Sequence, residues 1–211
     1  CCPARVYNRP MRKRLFMLLT LLLLIGLALG TRYGDVVLYA RQAEFDAATR
    51  SSVAVTFEEA AWDPLVGVEF FGSVASGGIT FVPIASPPVL PPNLFVAPTT
   101  QSNFCCPLES RTLTSSGGEN IDLVFDVPTH AVGFTCYANG GAPIVFTLSF
   151  ASAAPMQFTS PQPGSSVGFI GFVSSEPFTK LNWTSDFGDQ INTGIDNVRL
   201  GSGVCPSDLN G

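Results

Sequence analysis

The sequence predicts an all-β chain, an antiparallel β-sandwich of the jelly-roll type with one short N-terminal helix, and three observations carry that prediction. Short runs rich in Val, Ile, Phe and Thr recur along the chain, each bounded by Gly, Pro, Ser or Asn. Only one stretch has helical character, so strands follow one another without the intervening helices that a parallel sheet requires. Charge is sparse, at 13% Asp, Glu, Lys and Arg, while 46% of residues are hydrophobic and Phe occurs 17 times. Such a composition builds a packed core rather than a disordered chain.

Taken in order, residues 36–39 form a first strand and 41–49 (RQAEFDAAT) the helix. Phe45 is the helix's one large apolar anchor, joined at helical spacing only by Ala48, so its contribution to a core is modest. Strands follow at 53–58 (VAVTFE), 66–71, 79–84 and 94–97. Residues 85–98 hold Pro87-Pro88 and Pro91-Pro92, which cannot donate to a ladder, and form largely an exposed loop. From Gly117 the pattern is cleaner, with strands at 120–127, 131–137, 144–150, 156–159, 167–173, 178–185 and 195–200. Turn signals such as Val127-Pro128-Thr129 and Asn139-Gly140-Gly141 separate them. Ile121, Leu123 and Phe125 alternate with Asn120, Asp122, Val124 and Asp126, which sends one face to the core and leaves the other wet or free to bind.

The ends of the chain divide it further. Residues 1–10 (CCPARVYNRP) have no role ahead of the basic n-region Arg12-Lys13-Arg14 and read as translated upstream sequence. Residues 11–30 have the form of a secretory signal peptide, with an apolar run from Leu15 and small residues Ala28 and Gly30 before a cut at Thr31. An uncleaved membrane anchor is the alternative, disfavoured because the run falls short of the ~20 apolar residues that cross a bilayer core. Residues 31–201 then form the sandwich domain, and 202–211 a linker or tail. Without residues 1–30, six basic residues face all sixteen acidic ones. An acidic domain of this kind excludes a nucleic-acid groove and adsorption to an anionic membrane, leaving an uncleaved signal segment as the only membrane contact.

Export makes disulfides possible for Cys105, Cys106, Cys136 and Cys205. A bridge between neighbours strains the backbone, so one of Cys105 and Cys106 is expected to pair with Cys136. Zinc is disfavoured, since no CxxC spacing or nearby His supports it. Asp196 lies between Ile195 and Val198 on a strand that should be buried, and a carboxylate there needs a partner or a cation.

In order, FDAAT, VTFEE, GITF, IDLVFDVPTHAVGF, GFIGFVSSEPFTKLNW and IDNVRLG, spanning residues 45–201, resemble exported bacterial β-sandwich domains of the PEP-CTERM-associated and planctomycete type. The C-terminal sorting motif that names those proteins is absent from the sequence. Such domains are similar to jelly-roll carbohydrate-binding modules, in which a Phe-Glu near the first strand and an Ile-Asp-Asn near the last come together around a structural calcium. The resemblance therefore implies that Glu58 and Asp196 are metal ligands, with backbone carbonyls and Glu59 or Asn197 completing a shell of six to eight oxygens. The competing reading has Glu58 and Asp196 bonding backbone amides or Arg199 with no ion bound. The tail CPSDLNG resembles the opening of a dockerin-type calcium repeat, stopping before the fifth loop position.

The expected role is a secreted or cell-surface, non-catalytic recognition module whose partner is an extracellular glycan or surface matrix. Sugar rings stack on exposed aromatics, which points to Trp62 in a loop and to Tyr137 beside Asn139 as ligand-binding residues. Trp183 shares the face of Leu181 and belongs to the core. A purely structural matrix protein is the first alternative and a glycoside hydrolase the second, with Glu69, Glu119, Asp122 and Glu176 as its candidate carboxylates, none in a recognisable motif. Gly164-Ser165-Ser166-Val167-Gly168 matches G-x-S-x-G, but a strand rather than a helix should follow, and the sole His130 falls in a turn.

Overall fold

The structure is a computed structural model and describes residues 31–33, 36–58, 70–84, 93–97, 110–115, 120–138, 144–159, 166–185 and 193–201. It is an antiparallel β-sandwich with one helix among the described residues, the all-β class that the sequence predicts. The strands are β1 (Thr31–Tyr33), β2 (Val36–Tyr39), β3 (Ser52–Val55), β4 (Phe70–Phe71), β5 (Val74–Ser76), β6 (Ile79–Ile84), β7 (Leu94–Ala97) and β8 (Thr112–Ser115). They continue with β9 (Asn120–Ala138), β10 (Ile144–Phe150), β11 (Met156–Thr159), β12 (Ser166–Ser185) and β13 (Thr193–Gly201), and α1 (Gln42–Thr49) lies between β2 and β3.

Two long strands make the sandwich. β9 and β12 pair antiparallel over both of their halves, and the ladder breaks register between Val173 and Lys180. The C-terminal half of β9 and the N-terminal half of β12 lie in a first sheet, flanked by β2 and β1 on one side and β13 on the other. The opposite halves lie in a second sheet, flanked by β10 and β11 and by β6 and β5. Here the structure corrects the expected turn at 127–129. Pro128 and Pro177 sit at the register break, where a missing N–H costs no ladder bond, so the strands run through and change sheet instead of ending.

The two sheets meet through aromatic rings. Phe134 of the first sheet stacks on Trp183 of the second at 6.0 Å between ring centroids and lies 6.1 Å from Phe146. Phe172 of the first sheet packs on Phe146 and Phe158 of the second, at 5.4 and 5.7 Å. Trp183 is fully buried, as the parity with Leu181 predicts. Nearer one end, Phe57 packs edge-on against Phe81.

The helix lies on the outer face of the first sheet, away from this core. Phe45 seats its ring over Gly133 and Gly171, where a Cβ would come within about 3 Å of the ring. It belongs to a small separate cluster with Tyr39, Ala131 and Val173, in accord with its modest predicted contribution. The helix stops at Arg50, in the left-handed region, whose N–H closes on Asp46 O at 3.0 Å. Asp46 also accepts Arg199 Nη1 of β13 at 3.2 Å, tying the helix to the last strand.

The Cys136 thiol is free, and the partners expected for it, Cys105 and Cys106, lie outside the described residues. Its side chain shares the inner face with Val132 and Phe134, and burial pushes its pKa up to about 12, which makes it an inert core residue. Cys105, Cys106 and Cys205, the signal segment, residues 85–92 of the proline-rich stretch and the tail lie outside the described residues, while residues 94–97 of that stretch form the buried strand β7. No helix among the described residues is long and apolar enough to cross a membrane.

Candidate functional site

The site forms where one edge of β13 changes partners. β8 pairs with that edge at Ile195, and β3 takes over from Val198 to Leu200. Between the two, β13 bulges, with Asp196 opposite Thr135 of β9 and Arg199 opposite Gly133. Asn197 carries the extra length of the bulge in the left-handed region, at φ 51°, which Asn tolerates well. Phe57 also has φ 57°. A bulky residue there is strained by about 1–3 kcal/mol, and its ring is held fully buried against Phe81. One left-handed residue thus directly precedes Glu58 and the other directly follows Asp196.

The residues entering β8 join the two carboxylates. Ser110 Oγ donates to Asp196 Oδ2, which also accepts from Asn197 Nδ2 at 2.7 Å. The Arg111 backbone N–H donates to Glu58 Oε1 at 2.6 Å, and Arg111 Nε lies 3.8 Å from Glu58 Oε2. Asp196 is 1% exposed, and its second oxygen, Oδ1, is buried without a hydrogen-bond partner. Burial raises the Asp196 pKa and the nearby Glu58 charge raises it further, while the Ser110 and Asn197 hydrogen bonds act in the opposite direction. Burial and like charge prevail, so this carboxylate is costly to ionise as it stands.

Glu58 and Asp196 are thus held by the adjacent residues Arg111 and Ser110, the proximity that the resemblance implies. Of the competing partners, a backbone amide does bond Glu58, but Arg199 is committed to Asp46 and does not serve Asp196. The donors available to an ion are carboxylate, hydroxyl and amide oxygens, a hard set that suits calcium and not zinc. The unbonded, buried Oδ1 of Asp196 fits such an ion, since it lacks the partner that a buried acceptor otherwise finds. No group of three or more His, Cys, Asp or Glu side chains gathers among the described residues, so Ser110, Asn197 and backbone carbonyls would have to complete the shell.

Tyr137 stands half-buried on the same outer face of the first sheet. It pairs with Gly194 of β13 and with Val167 of β12, and the latter is 44% exposed. Since Thr135 pairs with Asp196, Tyr137 and Asp196 are diagonal cross-strand neighbours, a spacing an aromatic side chain can bridge. Trp62, Asn139 and Glu59 lie outside the described residues, as do Glu69 and Glu119. Asp122 faces outward on the second sheet, held by Lys180 at 3.1 Å and Asn182 at 2.8 Å, and Glu176 is exposed and accepts Ser152 Oγ at 3.0 Å. Ser166 begins β12, so a strand follows the G-x-S-x-G motif where a nucleophile elbow needs a helix. His130 does not sit in a turn but within β9, its Nδ1–H donating to Ser174 O at 3.0 Å. Ser110 and Arg111 escaped the sequence reading. The only signal was the β-branched alternation after them in Thr112–Ser115, a strand too short to stand out.

No protein-family model matches the sequence, and no curated protein matches it either. Among solved structures, a mutant family 29 carbohydrate-binding module complexed with cellulohexaose is similar at 12% identity, covering 75% of this chain and 94% of its own, with a TM-score of 0.38. A second mutant, complexed with mannohexaose, has 16% identity, covers 76% and 97%, and scores 0.36. The enzymatically active domain of bacteriophage CBA120 tailspike protein 4 has 14% identity over 59% of this chain and 19% of that one, with a TM-score of 0.37. At TM-scores below 0.5 such likeness assigns the chain neither a family nor a function.

Proposed function

We propose that this domain is a non-catalytic recognition module that works outside the cell, holds a calcium ion between Glu58 and Asp196, and binds a glycan over the adjoining face that carries Tyr137. The observation that carries the reading is the buried, unpartnered Oδ1 of Asp196. An ionised carboxylate taken out of water is costly unless it is neutralised, and an all-oxygen site with two carboxylates is neutralised by a hard divalent cation. Bound there, calcium would tie β13 to the start of β8 and to the segment after β3, where the edge of β13 passes from one partner to the other. The half-buried Tyr137 ring one diagonal away offers an apolar surface of the kind sugar rings stack on. Export is supported by the basic-then-apolar run of residues 11–30.

Melting of the full chain with excess calcium and with chelator tests this, in wild type and Asp196→Asn. At calcium near a hundred times Kd, wild type should gain about 2.7 kcal/mol and melt several degrees higher, and the variant should gain nothing. Equal melting in both conditions for both proteins removes the ion. Glycan-array binding lost in Tyr137→Ala, with melting unchanged, then separates a recognition module from a purely structural sandwich.

A further inference from the structure

We infer that the glycan bound over the Tyr137 face is neutral, a polymer of sugars without uronate, sulfate or phosphate groups. The inference rests on the reading of this face as a glycan platform and adds the chemical class of the ligand. Its first support is an apolar strip. Val167 stands directly across the β9–β12 ladder from Tyr137, and Phe169 across from Thr135. The side chains of Tyr137, Val167 and Phe169 therefore share one face as neighbours about 5–8 Å apart. Val167 is 44% exposed, and Phe169 continues the strip to Phe45 of the helix, at 5.5 Å between ring centroids. Such a surface takes the C–H face of a sugar ring, whereas an anionic substituent would lose its hydration there and gain no partner.

The placement of cations is the second support. Six Lys and Arg residues follow residue 30, and an anionic glycan would need one beside the platform. Arg41, Lys180 and Arg199 are paired with Glu44, Asp122 and Asp46. Arg32 pairs with Val37, Val37 with Val173 and Val173 with Ala131, so Arg32 belongs to the cross-strand row of Ala131. Arg50 follows Thr49, which packs against Gly201, and Gly201 is opposite Ala131 as well. That row, which His130 adjoins, lies six residues along β9 from Tyr137, about 20 Å at the rise of a strand. Arg111 stands nearer, beside Glu58, but there the carboxylate is the group that faces water, its side chain 49% exposed against 20% for Arg111. Calcium held there would be balanced by Glu58 and Asp196 and would lie beside the buried Asp196, behind this front. The charge next to the platform is negative, as is the sum of six basic and sixteen acidic residues after residue 30, and both repel an anionic polymer.

Binding of the full chain to an array of neutral, uronate and sulfated polysaccharides tests the inference, in calcium and in chelator. Each uronate polymer is present both native and after reduction of its carboxylates to hydroxymethyl groups, so that charge is varied on one backbone. Neutral polymers should be bound, uronate and sulfated ones roughly tenfold less tightly or not at all, and the neutral binding should barely change between about 50 and 500 mM salt, since no ion pair is there to screen. Val167→Asp, at an exposed position, should weaken neutral binding roughly tenfold without moving the melting temperature. The comparison of charged and neutral polymers on wild type decides the class even if Val167→Asp folds poorly. Uronate or sulfated polymers bound as tightly as neutral ones, in either condition, overturn the neutral class and leave a glycan-binding module standing. Neutral binding that folded Val167→Asp leaves unchanged takes the ligand off this face and overturns the inference as well. Folded wild type that binds no polymer of any kind overturns both the inference and the glycan reading beneath it.

Discussion

Asp196 is the buried carboxylate of the candidate site, and its protonation makes a sharp prediction for the ion-free state. Its pKa is raised in the fold, so the folded protein holds this proton more tightly than the unfolded chain does. In chelator, the stability contributed by that proton is fully present in acid. It declines as pH climbs from the ordinary carboxylate value through the raised one, because the buried charge then has to be carried. Asp196→Asn has no such slope. Urea denaturation across a pH series in chelator should find the variant matching wild type in acid and exceeding it at neutral pH, with the order reversed once calcium is added. The sequence made Asp196 legible, since a carboxylate between Ile195 and Val198 on an apolar strand has few bland explanations. It did not make Ser110 and Arg111 legible, because their place comes from where β8 enters the sheet, and the short alternation of Thr112–Ser115 is too brief a signal to announce it.

At the scale of elements, the helix seats one ring against two glycines and is tied to the last strand by Asp46 and Arg199. Phe45 Cδ2 would lie 2.5 Å from a Cβ added at Gly171, and Phe45 Cε1 3.0 Å from one at Gly133, where Phe169 is nearer still at 2.5 Å. Gly171→Ala, by lifting Phe45 off the sheet, and Gly133→Ala, by displacing Phe169 and then Phe45, should each destabilise the domain by about 1–3 kcal/mol, measurable as a lower urea midpoint with an unchanged slope. A variant as stable as wild type would mean that helix and sheet slide without loss. The helix itself was readable from RQAEFDAAT, and Phe45 as its anchor too. The glycines as its seat were not, because Gly133 and Gly171 lie on different strands and become neighbours only through the β9–β12 ladder. The strands Ile79–Ile84, Leu94–Ala97, Ile144–Phe150 and Met156–Thr159 match the expected bounds residue for residue, since turn residues frame each one.

Across the whole molecule, β9 and β12 are the common spine of both sheets, each flanked on both edges along much of its length. Native-state hydrogen exchange should find the slowest amides in these two strands, and fast exchange in the edge strands β1, β4, β5 and β11. Slowest protection in β13 or β6 instead would place the most stable unit elsewhere. The aromatic set Phe134, Phe146, Phe172 and Trp183 locks one sheet to the other, so the spine and the core should open together.

By itself the sequence determined the class of this protein. Period-two alternation, β-branched runs and turn residues are local signals, and they suffice for an antiparallel all-β domain with one helix and with Trp183 inside. Only the tertiary structure decided that Pro128 and Pro177 mark a change of sheet rather than the end of a strand, because a proline is harmless where the ladder already breaks. It alone brought Ser110 and Arg111 between Glu58 and Asp196, set Tyr137 diagonal to Asp196, and left Asp196 Oδ1 without a partner. Those are relations among residues up to 138 positions apart in the chain, from Glu58 to Asp196, and they exist only once strand register has been chosen by packing.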